Sequence, residues 1–148
     1  MVPQGRPKGS RRAGGGVNVG SPRASPMNVV LWILQALLAA VFLGVGVLKL
    51  AKPKEALLDK MGALEGFRPI TIKAIGLAEV LGALGLVAAP LVGWAALVPW
   101  AALGLASVMV AASIVHGERG EWLMIGGPVV LLALALVVMY GRSAHLPL

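Results

Sequence analysis

Four long apolar runs dominate the chain. The first extends from Val29 to Leu50 and is interrupted only by Gln35 and Lys49. The second runs from Ile70 to Ala89, with Lys73 near its start and Glu79 inside it. The third and fourth span Trp94 to Val115 and Trp122 to Tyr140. A helix rises about 1.5 Å per residue, so about 20 residues cross a ~30 Å hydrocarbon core. Each run has that length. Backbone polar groups in lipid need partners within their own segment, and the alternation of a barrel strand is absent, so the runs are predicted to be helices. The expected architecture is all-α: an integral membrane four-helix bundle with spans near 29–50, 70–89, 94–115 and 122–140. The first run is too long for the apolar region of a signal peptide, and no small-x-small site closes it. Lys49-Leu50-Ala51-Lys52 reads as a membrane exit, so this helix is expected to be retained.

Between the first two runs a different pattern appears. Leu57, Leu58, Met61 and Leu64 recur at helical spacing, with Glu55, Asp59, Lys60 and Glu65 on the other side. Pro53 suits a first helical turn and Gly66 a stop. This predicts a short amphipathic helix over about 53–65 lying at the interface. It either merely joins two spans or forms a lid over a pocket. Trp32, Trp94, Trp100, Trp122 and Tyr140 fall near predicted helix ends, as an aromatic belt requires. Small residues at four-residue spacing, Ala40 with Gly44 and Ala78 with Gly82, suit close helix packing. Gly126-Gly127-Pro128 predicts a kink or local break near the start of the fourth span.

Composition agrees with this picture. Hydrophobic residues make up 58% of the 148 and charged residues 13%, against about 25% charged in a soluble domain. Mean hydropathy is +0.88. There is no cysteine, which excludes disulfides, thiolate metal sites and thiol redox chemistry carried by the chain itself. The net charge is +7, and Arg6, Lys8, Arg11, Arg12 and Arg23 supply five of those charges, with no acid before Met27. Residues 1–26 also hold six of the 20 glycines and four of the 10 prolines. Such a segment buries too little apolar surface to offset its ordering entropy, so a disordered basic N-terminal tail is expected. Translation from Met27, directly before the first apolar run, is the alternative. Nucleic-acid binding is rejected, because the basic segment lacks aromatic residues and the remainder is nearly neutral. Residues 143–148 are expected to form a short C-terminal tail after a four-helix domain over 27–142. The tail charges and Arg142 place both termini in the cytoplasm of a multi-pass cell-membrane protein, whereas without the tail this bias reverses.

Three ionisable residues lie in or at the end of apolar helices: Lys49, Glu79 and His116. Placing a charge inside a membrane costs a few kcal/mol on the most lenient scales. Glu79 is about nine residues into its helix, roughly 14 Å deep, beyond the reach of snorkelling. It must be protonated, paired or turned to a wet cavity. Gly76, Glu79, Gly82 and Ala83 share one small face. Lys49 shares a face with Phe42 and Gly46, and His116 with Ala102, Ala106, Met109 and Ser113. The first and third helices exit on the side where the second enters, so all three polar groups occupy the same half of the membrane. Singly, Lys49 is explained as a snorkelling lysine, His116 as an interfacial loop histidine, and Glu79 as a structural partner of Lys49 fixing helix register.

A buried carboxylate beside a lysine and an imidazole also supports proton relay or hydrogen bonding to a hydrophobic ligand. A quinone headgroup, with two carbonyls and an apolar body, fits that chemistry. Glu79 and His116 are the expected ligand contacts, with Met109, Gly46 and Gly76 on the adjoining faces. No metal site is expected, since the two histidines, His116 and His145, lie on opposite sides. Nothing marks Ser113 as a nucleophile.

The run Phe42-Leu43-Gly44-Val45-Gly46-Val47-Leu48-Lys49-Leu50 resembles the first-helix signature of DoxX-like membrane proteins. Arg68 followed by Gly76-Leu77-Ala78-Glu79-Val80-Leu81-Gly82-Ala83-Leu84-Gly85-Leu86 resembles their second helix. Ala101-Ala102-Leu103-Gly104-Leu105 with Met109, Ala112 and His116 is similar to the third, and Tyr140-Gly141-Arg142 to the end of the fourth. The resemblance covers about residues 28–142. It implies a four-helix membrane protein associated with membrane oxidoreductase complexes, of which a thiosulfate:quinone oxidoreductase subunit gave the family its name. Any thiol chemistry would then come from a soluble or membrane oxidoreductase partner.

Three functions follow. The leading one is a membrane component of a quinone-linked redox process, in which Glu79 exchanges protons with the ligand, His116 hydrogen-bonds it and Lys49 holds the carboxylate's charge. A structural assembly subunit without ligand is the second. A small proton-coupled transporter working as a homo-oligomer is the third, although in small multidrug transporters the carboxylate belongs to the first helix, which here carries only Lys49.

Overall fold

The computed structural model describes residues 26–144. The expected basic arm, up to residue 25, and the expected C-terminal tail from His145 lie outside the described residues, whereas Pro26 opens the first helix and Ser143 and Ala144, expected in the tail, close the last one. Among the described residues four helices are long and apolar enough to cross a membrane. They are α1 (Pro26–Ala51), α3 (Pro69–Leu91), α4 (Val98–Glu118) and α5 (Gly126–Ala144), with a short α2 (Lys54–Leu58) between the first two. Pro69 occupies the first turn of α3, where its missing N–H costs nothing. The fourth run divides at the expected place: Trp122–Ile125 forms a 3-10 turn and α5 begins at Gly126.

The helices close a ring in which α1 packs on α3 and α5, and α4 packs on α3 and α5. On α1 the buried positions are Leu31, Gln35, Leu38, Phe42, Gly46 and Lys49. On α3 they are Ile72, Gly76, Glu79, Ala83, Leu86 and Ala89. Steps of three and four keep each set on one stripe facing the bundle axis. Leu38, Phe42, Leu86, Leu105 and Val138 fill the core. Leu81 and Trp100 point outward, as lipid-facing residues must.

Close approach depends on small residues. A Cβ added at Gly46 would stand 2.8 Å from the Gly76 carbonyl oxygen, and one at Gly76 would stand 2.9 Å from that of Gly46. Real Cβ atoms do not come so close, so α1 and α3 cross at this pair. Gly82 receives Leu105 of α4 in the same manner. The other expected small pair packs differently: Ala40 is exposed and Gly44 has open space around its Cα. The close contact on α1 is two residues further on, at Gly46.

The segment after α1 departs from a single amphipathic helix. α2 is followed by a break at Met61, whose φ of −135° is not helical, and by a 3-10 turn at Gly62–Leu64. Lys54 Nζ donates to the carbonyls of Glu65 at 2.7 Å and Phe67 at 2.8 Å, folding the segment onto itself. Leu57, Leu64 and Ile72 bury together beneath it. Lys73 Nζ donates to the carbonyls of Leu50 and Lys52 at 2.6 and 2.8 Å, satisfying orphan acceptors at the end of α1.

Candidate functional site

The Gly46–Gly76 crossing brings the next turn of each helix together. Lys49 lies one turn beyond Gly46, and Glu79 one turn beyond Gly76, on the buried stripes. The Lys49 ammonium donates to Glu79 Oε1 at 2.5 Å, and their side chains are 9% and 1% exposed. The other carboxylate oxygen, Glu79 Oε2, is buried and has no hydrogen-bond partner among the described residues. A buried acceptor of this kind is costly unless something donates to it.

Both residues line a cavity of ≈ 570 Å³ between α3, α4 and the folded segment after α2. Met109, Ala112 and His116 of α4 form one wall, and Met61, Leu64 and Phe67 close another. Two of the alternatives for that segment therefore meet: it joins two spans and it roofs a pocket. Apolar side chains supply most of the lining, with Lys49, Glu79, His116, Lys60 and Ser107 as its polar members.

His116 is held by the turn that follows α4. Its Nδ1 lies 2.7 Å from Glu121 Oε2. Gly120, at φ +70°, turns the chain sharply after α4, and the Glu121 amide donates back to the His116 carbonyl at 2.9 Å. A left-handed φ of this kind favours glycine. Arg119 Nε donates to Glu121 Oε1 at 2.7 Å, and its Nη1 donates to Glu65 Oε2 at 3.2 Å. The roof and the α4 end are thus joined by one chain of charges. The Arg119 guanidinium, and after it His116, hold the Glu121 carboxyl below the usual carboxylate range.

The structure places Lys49, Glu79, His116 and Met109 on one cavity. Gly46 and Gly76, expected among the ligand contacts, lie at the helix crossing and do not line it; their role is to let the ion pair form. Ser113 donates its hydroxyl to the Met109 carbonyl at 2.8 Å within its own helix. Three residues joined to His116 by hydrogen bonds were not among the expected site residues: Glu121, Arg119 and Glu65. The five-residue step from His116 to Glu121 was the available signal, hidden by the turn at Gly120.

A second polar group occupies the other end of the bundle. Gln35 Nε2 donates to the Leu86 carbonyl at 2.6 Å. That carbonyl lies four residues before Pro90, inside α3. Proline has no N–H to give it, so Gln35 supplies the missing donor. Gln35 Oε1 in turn accepts from Arg142 Nε at 2.6 Å. Arg142 also donates to Asn28 Oδ1 at 2.5 Å and lies over the Trp32 ring, which brings both ends of the described chain to one end of the bundle.

No curated protein and no solved structure matches the chain. The model of the DoxX-like family matches residues 33–138, taking in all or most of every spanning helix together with Lys49, Glu79 and His116, and the chain belongs to that family.

Proposed function

We propose that this DoxX-like protein is the membrane component of a redox process and that its cavity receives the headgroup of a quinone or quinol. One observation carries the reading: among the described residues Glu79 Oε2 is a buried acceptor without a partner, in a side chain that lines a mainly apolar cavity. A hydroquinone ring, whose O–H groups donate and whose body is apolar, meets both demands. The volume, ≈ 570 Å³, lies within the roughly 300–1,000 Å³ of small-molecule sites. Glu79 accepts the ligand's hydrogen bond and exchanges its proton, Lys49 holds the carboxylate's charge, and His116 meets the ligand from the α4 wall. The chain has no cysteine, so electrons from a thiol or sulfur donor reach the ligand through an oxidoreductase partner. With the basic N-terminal residues on the cytoplasmic side, both termini are cytoplasmic and the cavity opens in the far half of the membrane.

The test is mass spectrometry of small molecules extracted from gently purified protein. Wild type is expected to retain a quinone or its quinol that Glu79→Gln and the cavity-filling Ala112→Trp lose. A wild type with neither form bound refutes the reading.

The Lys49–Glu79 pair at the Gly46–Gly76 crossing favours one other reading, a register device in an assembly subunit. In that case an oxidoreductase partner co-purifies with wild type and is lost from Lys49→Met, whatever ligand is present.

A further inference from the structure

We infer that the cavity selects the hydroxyl-bearing, reduced form of its ligand over the carbonyl form, and that Glu121 is the positioning residue that sets this preference through His116. This rests on the quinone reading above and adds which redox form the site holds. The argument concerns donors and acceptors. A carboxylate only accepts hydrogen bonds. The 2.7 Å contact between His116 Nδ1 and Glu121 Oε2 therefore requires the proton on Nδ1. In the neutral ring this leaves a lone pair on Nε2, which accepts, whereas an imidazolium donates there as well, so the preference belongs to the neutral ring. Nδ1 being occupied, Nε2 is the ring atom left for a ligand in the cavity that His116 lines. Glu79, on the same cavity, carries a second acceptor, Oε2, without a partner among the described residues.

Two acceptors ask for two donors. A hydroquinone carries two O–H groups and its quinone carries none, so the oxidised ring leaves both acceptors unmet. A site with buried polar groups built for a hydroxyl discriminates strongly against an analogue that lacks it. The donors on the same walls do not reverse this. Lys49 Nζ gives one of its three N–H groups to Glu79 Oε1 at 2.5 Å, and the carboxylate holds the ammonium to its own side. Ser107 gives its hydroxyl to the Leu103 carbonyl at 3.0 Å. Lys60, on the cavity rim, is exposed and keeps its ammonium in water. Arg119 faces His116 only through Glu121, to which it donates at 2.7 Å, and this second hydrogen bond keeps the carboxylate turned to the ring.

The experiment measures affinity of purified full-length protein in nanodiscs for a short-tailed benzoquinone and for its hydroquinone, the latter kept reduced without oxygen. Imidazole 15N shifts of His116, assigned with His116→Phe, are recorded in parallel. Wild type is expected to show the Nδ1–H tautomer and roughly tenfold tighter binding of the hydroquinone, as one or two added hydrogen bonds give. Glu121→Ala is expected to mix the tautomers and lose most of that preference while still binding. Glu121→Gln, which keeps an acceptor oxygen at the same reach, is expected to restore both. Equal or tighter binding of the quinone by wild type, an Nε2–H tautomer, or a full preference in Glu121→Ala overturns the inference. If wild type binds neither form, the quinone reading itself falls and this inference falls with it.

Discussion

Removing the Lys49 ammonium is predicted to cost about 4 kcal/mol of stability at pH 7, and much less in acid. Glu79 is 1% exposed, and its one hydrogen bond goes to Lys49. In Lys49→Met the aliphatic stem is replaced at similar volume, so little packing is lost. The carboxylate then either stays charged without a partner, at several kcal/mol, or takes a proton. Protonating a carboxyl of ordinary acidity, near 4.3, costs about 1.4 kcal/mol for each pH unit above that value, or about 4 kcal/mol at pH 7. The easier route sets the loss. At pH 5 the same step costs about 1 kcal/mol, because a proton is more available. The double variant Lys49→Met/Glu79→Leu removes both charges and is expected within about 1 kcal/mol of wild type. Reversible unfolding in bicelles, followed by tryptophan fluorescence at pH 7 and pH 5, reads all three numbers. A Lys49→Met loss below about 1 kcal/mol at pH 7, the same loss at both pH values, or a double variant as weak as the single one refutes the reasoning.

Further outcomes follow from other contacts. Gly46→Val forces α1 and α3 apart, with an expected loss of about 1–3 kcal/mol and release of the Lys49–Glu79 contact, visible as a disulfide-trapping change between helices carrying introduced cysteines. Gln35→Leu strips the Leu86 carbonyl and Arg142 Nε of their partner and is expected to cost about 1–3 kcal/mol. On a Pro90→Ala background, where an amide can serve Leu86, the same substitution should cost less; an unchanged penalty in thermal unfolding contradicts the pairing. Glu121 has its carboxyl held below the ordinary range by Arg119 and His116. Its contribution is therefore present above the unfolded value and lost as pH falls through the lower folded one. The His116 ring should stay ordered near pH 5 and loosen only below the usual carboxylate range, and NMR relaxation that loosens at pH 6 would contradict this.

Much of this architecture is legible because lipid imposes simple rules. Run length predicts spans, and the buried carboxylate demands a partner, so Lys49 and Glu79 meet as their helix faces suggest. Met109 and His116 share the cavity for the same reason of face and depth. The glycines were harder to assign. A stripe of small residues says that something approaches closely, but a helix and a ligand both fit, and at Gly46 and Gly76 it is a helix. Ala40 and Gly44 have the right spacing on the wrong face. The broken helix after α1 depends on Lys54 reaching carbonyls eleven and thirteen residues away, a tertiary contact invisible to a periodicity. Glu121 and Arg119 looked like ordinary loop charges because a turn at Gly120, rather than helical spacing, carries them back to His116. Gln35 appeared only as an interruption. Its purpose depends on Pro90 lying inside α3 rather than in the connection after it.

The central claim is that a hydrophobic ring with oxygen substituents lies between Glu79 and His116 beneath the roof formed after α2. Photolabelling with an azido-quinone in native membranes, followed by peptide mapping, tests it most directly. The account predicts label within residues 60–67 and 107–116, displaced by excess unlabelled quinol and abolished in Glu79→Gln. Label spread along the lipid-facing sides of the helices, around Leu81 or Trp100, and indifferent to both competitor and substitution would contradict it.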